Sequence, residues 1–271
     1  MKSVAVLTGA SRGIGSAVAQ DLAPRYSVVV LGARDRAGLE ETACNVRAAN
    51  GKPVLVAVDV RTEEGRNALI AAAEAEGDIE VLINNAGVEV PIPVMEQSAA
   101  EIESQLDVNL RVPILLTRGV LPGMVKRGHG SIVMVSSMSG KSPTPYNSVY
   151  SASKFGLNGF AGSLQFELRG TGVNVGVVCP GFVGGKGMWA DTNVKAPLLM
   201  REVSIEKVVD AVRKVISGKP EVLVTPGPVR PLLALSQMRP TWIPVLLRWM
   251  GITNVLEERS RVVRCKRSLS A

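Results

Sequence analysis

The 271-residue sequence predicts an α/β fold: a doubly wound parallel sheet of about seven strands with helices on both faces, followed by a helical C-terminal extension. Three observations carry that reading. Seven short runs are almost continuously Val, Ile or Leu, as strands covered on both faces must be. Segments with helical spacing separate them one by one, the alternation that builds a parallel sheet through right-handed crossovers. A glycine-rich turn, Thr8 to Gly15, stands between the first run and the first helical segment.

In order, the strands are expected over 3–8, where Val4 to Leu7 are apolar, then 27–33, 53–59, 80–84, 130–136, 173–179 and 221–225. Helices are expected over 13–23, 36–50, 62–76, 97–127, 147–169 and 204–217. Thr225-Pro226-Gly227-Pro228 breaks the pattern, so residues 1–227 read as one catalytic domain and 228–271 as an apolar, then basic, extension.

Composition narrows the function. With 46% hydrophobic and 20% charged residues the chain is neither collagen-like nor disordered. Cys44, Cys179 and Cys265 stand far apart, which argues against a disulfide framework and fits the cytosol. The one histidine, His129, sits in the polar turn Arg127 to Gly130 and reads as solvated, so no metal site is expected. Of the net charge of +7, residues 1–227 carry 23 Lys/Arg against 22 Asp/Glu, and the tail eight against two. A near-neutral body argues against a nucleic-acid groove. Met1 to Ser3 runs directly into the first strand, so no leader is expected, and the tail's uncharged stretches are too short to span a bilayer.

Thr8-Gly9-Ala10-Ser11-Arg12-Gly13-Ile14-Gly15 lies after a strand and before a helix. Glycines there let backbone amides and the helix N-terminus approach a pyrophosphate; the same letters also suit a purely structural corner. Asn84-Asn85-Ala86-Gly87, ending the fourth strand, either lets backbone pass beside a cofactor or forms an Asx turn.

Chemistry points to the fifth strand and the helix after it. Ser137 follows the strand, and Tyr150 precedes Lys154 at i+4, so phenol and ammonium share a helix face. A neighbouring cation favours the phenolate and brings a tyrosine toward useful acid/base work. A surface helical pair is the alternative. Tyr146 is a rival phenol, but its i+4 partner is Tyr150 and not a lysine.

As a set, these motifs resemble the short-chain dehydrogenase/reductase family: T-G-x-x-x-G-x-G at Thr8 to Gly15, Asp59 after the third strand, N-N-A-G at Asn84 to Gly87, Asn109, Ser137, Y-x-x-x-K at Tyr150 to Lys154, and Pro180-Gly181. The resemblance covers residues 3–227. It implies a Rossmann-like sheet, a nicotinamide dinucleotide and a tetrad of Asn109, Ser137, Tyr150 and Lys154. In that scheme Tyr150 is the acid/base, Ser137 orients the substrate oxygen, Lys154 holds the cofactor ribose and lowers the Tyr150 pKa, and Asn109 supports a relay water. Gly9, Ser11, Arg12, Gly13, Ile14, Gly15, Arg34, Asp59, Val60, Asn85, Ala86, Gly87, Pro180, Gly181 and Val183 would join Tyr150 and Lys154 around the cofactor, in a homodimer or homotetramer. Gly185 departs from the family, which usually carries Thr or Ser there.

Charge favours NADP (NADPH) over NAD. The second strand ends Gly32-Ala33-Arg34-Asp35, with Ala33 where NAD-using relatives place an acid and with Arg34 and Arg12 to meet a 2′-phosphate. Asp35 either caps the next helix or faces the ribose. Val88, Val90, Met95, Met138, Met188, Trp189, Leu198 and Met200 suggest an apolar pocket for a small lipophilic ketone or secondary alcohol, or else a packed lid; Glu89 and Lys141 are specificity groups or solvated. From 231 to 256 the tail is apolar, with Trp242 and Trp249, and a basic run from Arg259 to Arg267 follows. Residues 231–267 therefore either contact a membrane peripherally or pack on the body or a subunit. The intact tetrad favours an enzyme over a dinucleotide-binding membrane or partner protein with idle catalysis.

Overall fold

The computed structural model describes residues 2–197 and 200–269. Seven strands, β1 (Ser3–Thr8), β2 (Val28–Ala33), β3 (Pro53–Ala57), β4 (Asp78–Asn84), β5 (Gly130–Val135), β6 (Val173–Pro180) and β7 (Glu221–Val224), form one parallel sheet. Their order is β3-β2-β1-β4-β5-β6-β7. It reverses between β1 and β4, and ligand clefts of such sheets open at the carboxyl ends of the strands flanking that switch point.

Helices α1 (Gly13–Leu22), α2 (Arg36–Ala48) and α7 (Ile205–Ile216) cover one face, where Val18, Leu39 and Val212 pack on Leu7, Leu31 and Val178. On the other face lie α3 (Glu63–Glu74), α5 (Val112–Arg127) and α6 (Ser148–Glu167), with Leu69, Leu116 and Leu157 against Val30, Leu82 and Met134. Strands buried on both sides are what continuous apolar runs demand.

The expected helix over 97–127 is instead two helices around a π-turn: α4 (Ala99–Leu106), Asp107–Arg111 and α5. Ser98 and Glu101 close a capping box, which starts α4 two residues late. Pro113 has no N–H to give the Asn109 carbonyl, so the α-helical ladder cannot pass residue 109 unbroken.

The tail folds as α8 (Arg230–Met238), α9 (Ile243–Trp249) and α10 (Ile252–Ser268). Ile252 and Leu256 of α10 are buried with Trp189 and Val194 of the body. Among the described residues, no helix is long and apolar enough to cross a membrane.

Candidate active site

A cleft of about 960 Å³ opens at the carboxyl ends of β1 and β4. Its floor is the glycine turn, whose shape forbids a side chain at its glycines: Gly9 has φ +66°, and a Cβ there would lie 2.8 Å from the Ala86 Cα. Gly13, at φ +58°, would drive a Cβ to 2.7 Å from the Lys186 carbonyl. The Asn85 Nδ2 donates to the carbonyls of Thr8 and Gly9, both at 3.0 Å, and the Thr8 hydroxyl accepts from the amides of Asn85 and Ala86, both at 3.1 Å. Turn and N-N-A-G motif are therefore one hydrogen-bonded unit. The open N-terminus of α1, with no acidic residue in its first turn, fits a pyrophosphate.

At the far edge Val60 is buried, and Asp59 accepts from Arg61 Nη2 at 2.6 Å and from the Arg61 amide at 2.9 Å. The Arg61 hydrogen bond holds the Asp59 carboxyl below its usual range against the opposing effect of burial, with Arg34 adding slightly to the pull. Arg34 is exposed at the tip of β2. Asp35 caps α2, accepting from the Gly38 amide at 3.2 Å, and also lines the cleft. Arg12 lines the cleft but pairs with Asp191 at 2.8 Å.

All residues expected around cofactor and substrate oxygen line the cleft, Ile14, Ser11, Gly15, Gly87, Ser137, Pro180, Gly181 and Val183 among them, except Asn109, which is fully buried behind its wall. The Asn109 Nδ2 donates to the Val88 carbonyl at 2.8 Å and to the Ser153 hydroxyl at 3.2 Å, while its Oδ1 accepts from the Val88 amide at 2.9 Å. Its side chain ties the loop after β4 to α6.

The Ser137 hydroxyl accepts from the Ser139 amide at 3.1 Å, beginning a short 3₁₀ turn that aims Ser137 at Tyr150. Lys154, 3% exposed, donates to the Val135 carbonyl at 2.9 Å, and its Nζ stands 5.6 Å from the Tyr150 ring centre. Burial pushes the Lys154 ammonium down to about 8. Burial also raises the Tyr150 phenol, Glu89 raises it further, and a hydrogen bond with Ser137 and the charge of Arg259 oppose them. Without cofactor, then, the phenol is held protonated: desolvation of a buried phenol outweighs the opposing effects of Ser137 and Arg259.

Sequence reasoning missed the Glu89–Arg259 pair. The Arg259 fork donates to Glu89 Oε1 at 2.6 Å and Oε2 at 2.7 Å, with side chains 5% and 9% exposed. Within a basic run Arg259 carried no signal distinguishing it from its solvated neighbours. Lys141 is ion-paired with Glu221, outside the cleft. Of the expected pocket residues Val88, Met138, Met188, Trp189 and Met200 line the cleft; Val90 does not, Met95 is 90% exposed, and Leu198 lies outside the described residues. Leu232, Leu246, Leu247 and Met250 of the tail complete the apolar side. Gly185, at φ +92°, belongs to the loop after β6, in a conformation that the usual Thr or Ser would strain.

The short chain dehydrogenase family model matches residues 3–196. The ketoacyl reductase HetN of Nostoc sp. is 42% identical over 262 residues, 94% of this chain and 91% of that protein. Estradiol 17-beta-dehydrogenase 11 of Macaca fascicularis is 31% identical over 254 residues, 92% and 83% of the two chains. The crystal structure of a metagenomic short-chain oxidoreductase in complex with NADP is similar with a TM-score of 0.71 and 34% identity, over 83% of this chain and 98% of that one. Glycine turn, N-N-A-G unit and Y-x-x-x-K helix thus meet in one cleft of a chain matched along most of its length, and the chain belongs to the short-chain dehydrogenase/reductase family of NAD(P)-dependent oxidoreductases acting on CH–OH groups.

Proposed function

We propose that this chain is an NADPH-dependent reductase of lipophilic ketones, with residues 1–227 as the catalytic body and the tail as the roof of its substrate pocket. One observation carries the reading: Ser137, Tyr150 and Lys154 sit where a cleft floored by the glycine turn meets a chamber of Met138, Met188, Trp189 and tail leucines. The reduced dinucleotide, when bound, supplies the hydride that the carbonyl carbon takes up. Tyr150 gives its phenolic proton to the carbonyl oxygen, so ketone becomes secondary alcohol, and Ser137 donates a hydrogen bond that holds this oxygen beside the phenol. A phenol kept protonated by burial is in the state a proton donor needs. Lys154 would face the ribose, and Asn109 braces the loop and helix between which the substrate lies.

Three observations support NADPH: Ala33 offers no carboxylate to repel a 2′-phosphate, Arg34 is exposed at the strand tip, and the metagenomic relative was solved with NADP. Arg12 is assigned a lesser share because Asp191 holds it. For the substrate, the apolar lining and the names of the two relatives, a ketoacyl reductase and an estradiol dehydrogenase, point the same way.

The tail adds a second reading, peripheral contact with an anionic membrane, narrowed to α8 and α9. Their outer side and the turn between them expose Leu235, Met238, Trp242, Val245 and Trp249 beside Arg239 and Arg248, with no acidic residue between 228 and 256. Of the basic charges of α10, Arg259 is buried, and Arg261, Arg264 and Arg267 reach solvent but are paired with Glu257, Glu96 and Glu101, which weakens their pull on lipid.

Tyr150→Phe tests the catalytic reading. Turnover of a 3-oxoacyl thioester or a steroid ketone with NADPH should fall at least about 100-fold while NADPH affinity, read by fluorescence, stays near wild type. Retained turnover refutes the assignment.

A further inference from the structure

Glu89 and Arg259 stand 170 residues apart in sequence, one on the loop after the N-N-A-G motif and one on the last helix, yet meet as a buried, two-bonded pair. Arg259 also donates to the Met188 carbonyl at 3.2 Å and lies over the Trp189 ring, 5.2 Å from its centre. On the other side Glu89 Oε1 accepts from the Asn147 Nδ2 at 2.7 Å. Asn147 is the residue from which α6 starts, and its carbonyl accepts from the Ser151 amide at 2.7 Å, one residue beyond Tyr150.

Anchoring alone does not account for the pair. Ile252 and Leu256 already bury α10 against Trp189 and Val194, and a buried ion pair seldom holds a fold together better than apolar side chains of its size. What apolar side chains cannot do is place opposed charges in the cleft that the proton donor lines. We propose that Glu89 and Arg259 are positioning residues for proton transfer: Arg259, delivered by the C-terminal helix, balances a carboxylate in the cleft that Tyr150 lines, and Glu89, so held, fixes Asn147 at the start of the helix that carries Tyr150. The C-terminal helix is thereby part of the catalytic machinery. This inference rests on Tyr150 as the proton donor.

The groups acting on the phenol come from every element around it. Glu89, from the loop after β4, raises its proton affinity; Ser137, after β5, lowers it; Arg259, from α10, lowers it; Cys179, on β6, raises it; and Lys154 shares its own helix. Glu89 and Arg259 thus pull in opposite directions, and removing either leaves the other unopposed.

The full-length enzyme, labelled with 3-fluorotyrosine at its three tyrosines, reports this directly by ¹⁹F NMR, with Tyr150→Phe assigning the resonance. Fluorination makes the phenol easier to ionise and so lowers the pH at which it titrates. Glu89→Gln, close to isosteric, should move the Tyr150 midpoint down by about 1 pH unit; Arg259→Met should move it up by about as much or out of range; Arg259→Lys should stay near wild type, and the Glu89→Gln/Arg259→Met double variant should fall between the singles. Midpoints that stay put, or move the same way in both single variants, overturn the proposal however far activity or Tm falls, because a tether that merely holds α10 would give that result. Should Tyr150→Phe retain turnover, the proton-donor reading fails instead, and the titrations still measure the pair.

Discussion

Lys154 carries a costly charge, an almost fully buried ammonium that donates to the Val135 carbonyl. Its pKa is about 8 in the folded chain and about 10.4 in an unfolded one, so between these values the unfolded state binds more protons. Stability of the cofactor-free enzyme therefore rises with pH across that window, and the penalty is fully present below pH 8. Thermal melts should show wild type gaining on Lys154→Met as pH goes from 7 to 9; parallel curves would mean the ammonium is better solvated than its burial implies. Arg34 is a residue of the opposite kind, exposed and readable from sequence because a strand-end position faces the adenosine ribose in this family. A charge-assisted contact with phosphate contributes about 1.5–3 kcal/mol, so Arg34→Ala should weaken NADPH binding roughly 10- to 100-fold and leave NADH binding almost unchanged. Equal losses for both cofactors would remove Arg34 from the 2′-phosphate.

At the level of elements, the strands were legible because each is apolar on both faces, and β1 and β4 through β6 run within one or two residues of the apolar stretches. The helix over 97–127 was legible as helix but not as two. One π-turn adds a single residue to a 3.6 period, which apolar spacing does not register, and the available signal was Pro113, four residues after Asn109. The turn has a use: it carries Asn109 inward, where the amide satisfies both backbone groups of Val88. Asn109→Ala leaves that part-buried amide and carbonyl without their partner, at up to about 1–3 kcal/mol each if water does not replace it. Hydrogen exchange should quicken at the Val88 amide and Tm should drop by several degrees. Unchanged exchange there would show that the loop does not depend on Asn109.

For the molecule as a whole, body and tail could be told apart from composition, but the tail's inside could not be told from its outside, since both faces of α8 and α9 are apolar. Folding sorts them: Leu232, Leu246 and Leu247 face the cleft, while Trp242, Val245 and Trp249 face out, Trp249 76% exposed. Contact with lipid would then rest mainly on buried apolar area. Arg239 and Arg248 add about 1 kcal/mol each near an anionic surface, too little to carry binding by themselves. The full chain should float with phosphatidylcholine–phosphatidylserine vesicles and lose only part of that binding in high salt, whereas a polybasic attachment would fade almost completely. A Trp242→Ser/Trp249→Ser variant should stop floating yet melt near the wild-type temperature, because neither ring is buried within the chain. Ending the chain at Gly227 should abolish flotation and also lower Tm, since Trp189 and Val194 lose Ile252 and Leu256. If the tryptophan variant instead floats like wild type, the lipid reading of α8 and α9 is wrong; if wild type does not float and the tryptophan variant sediments as a smaller species, the same face is an interface between subunits.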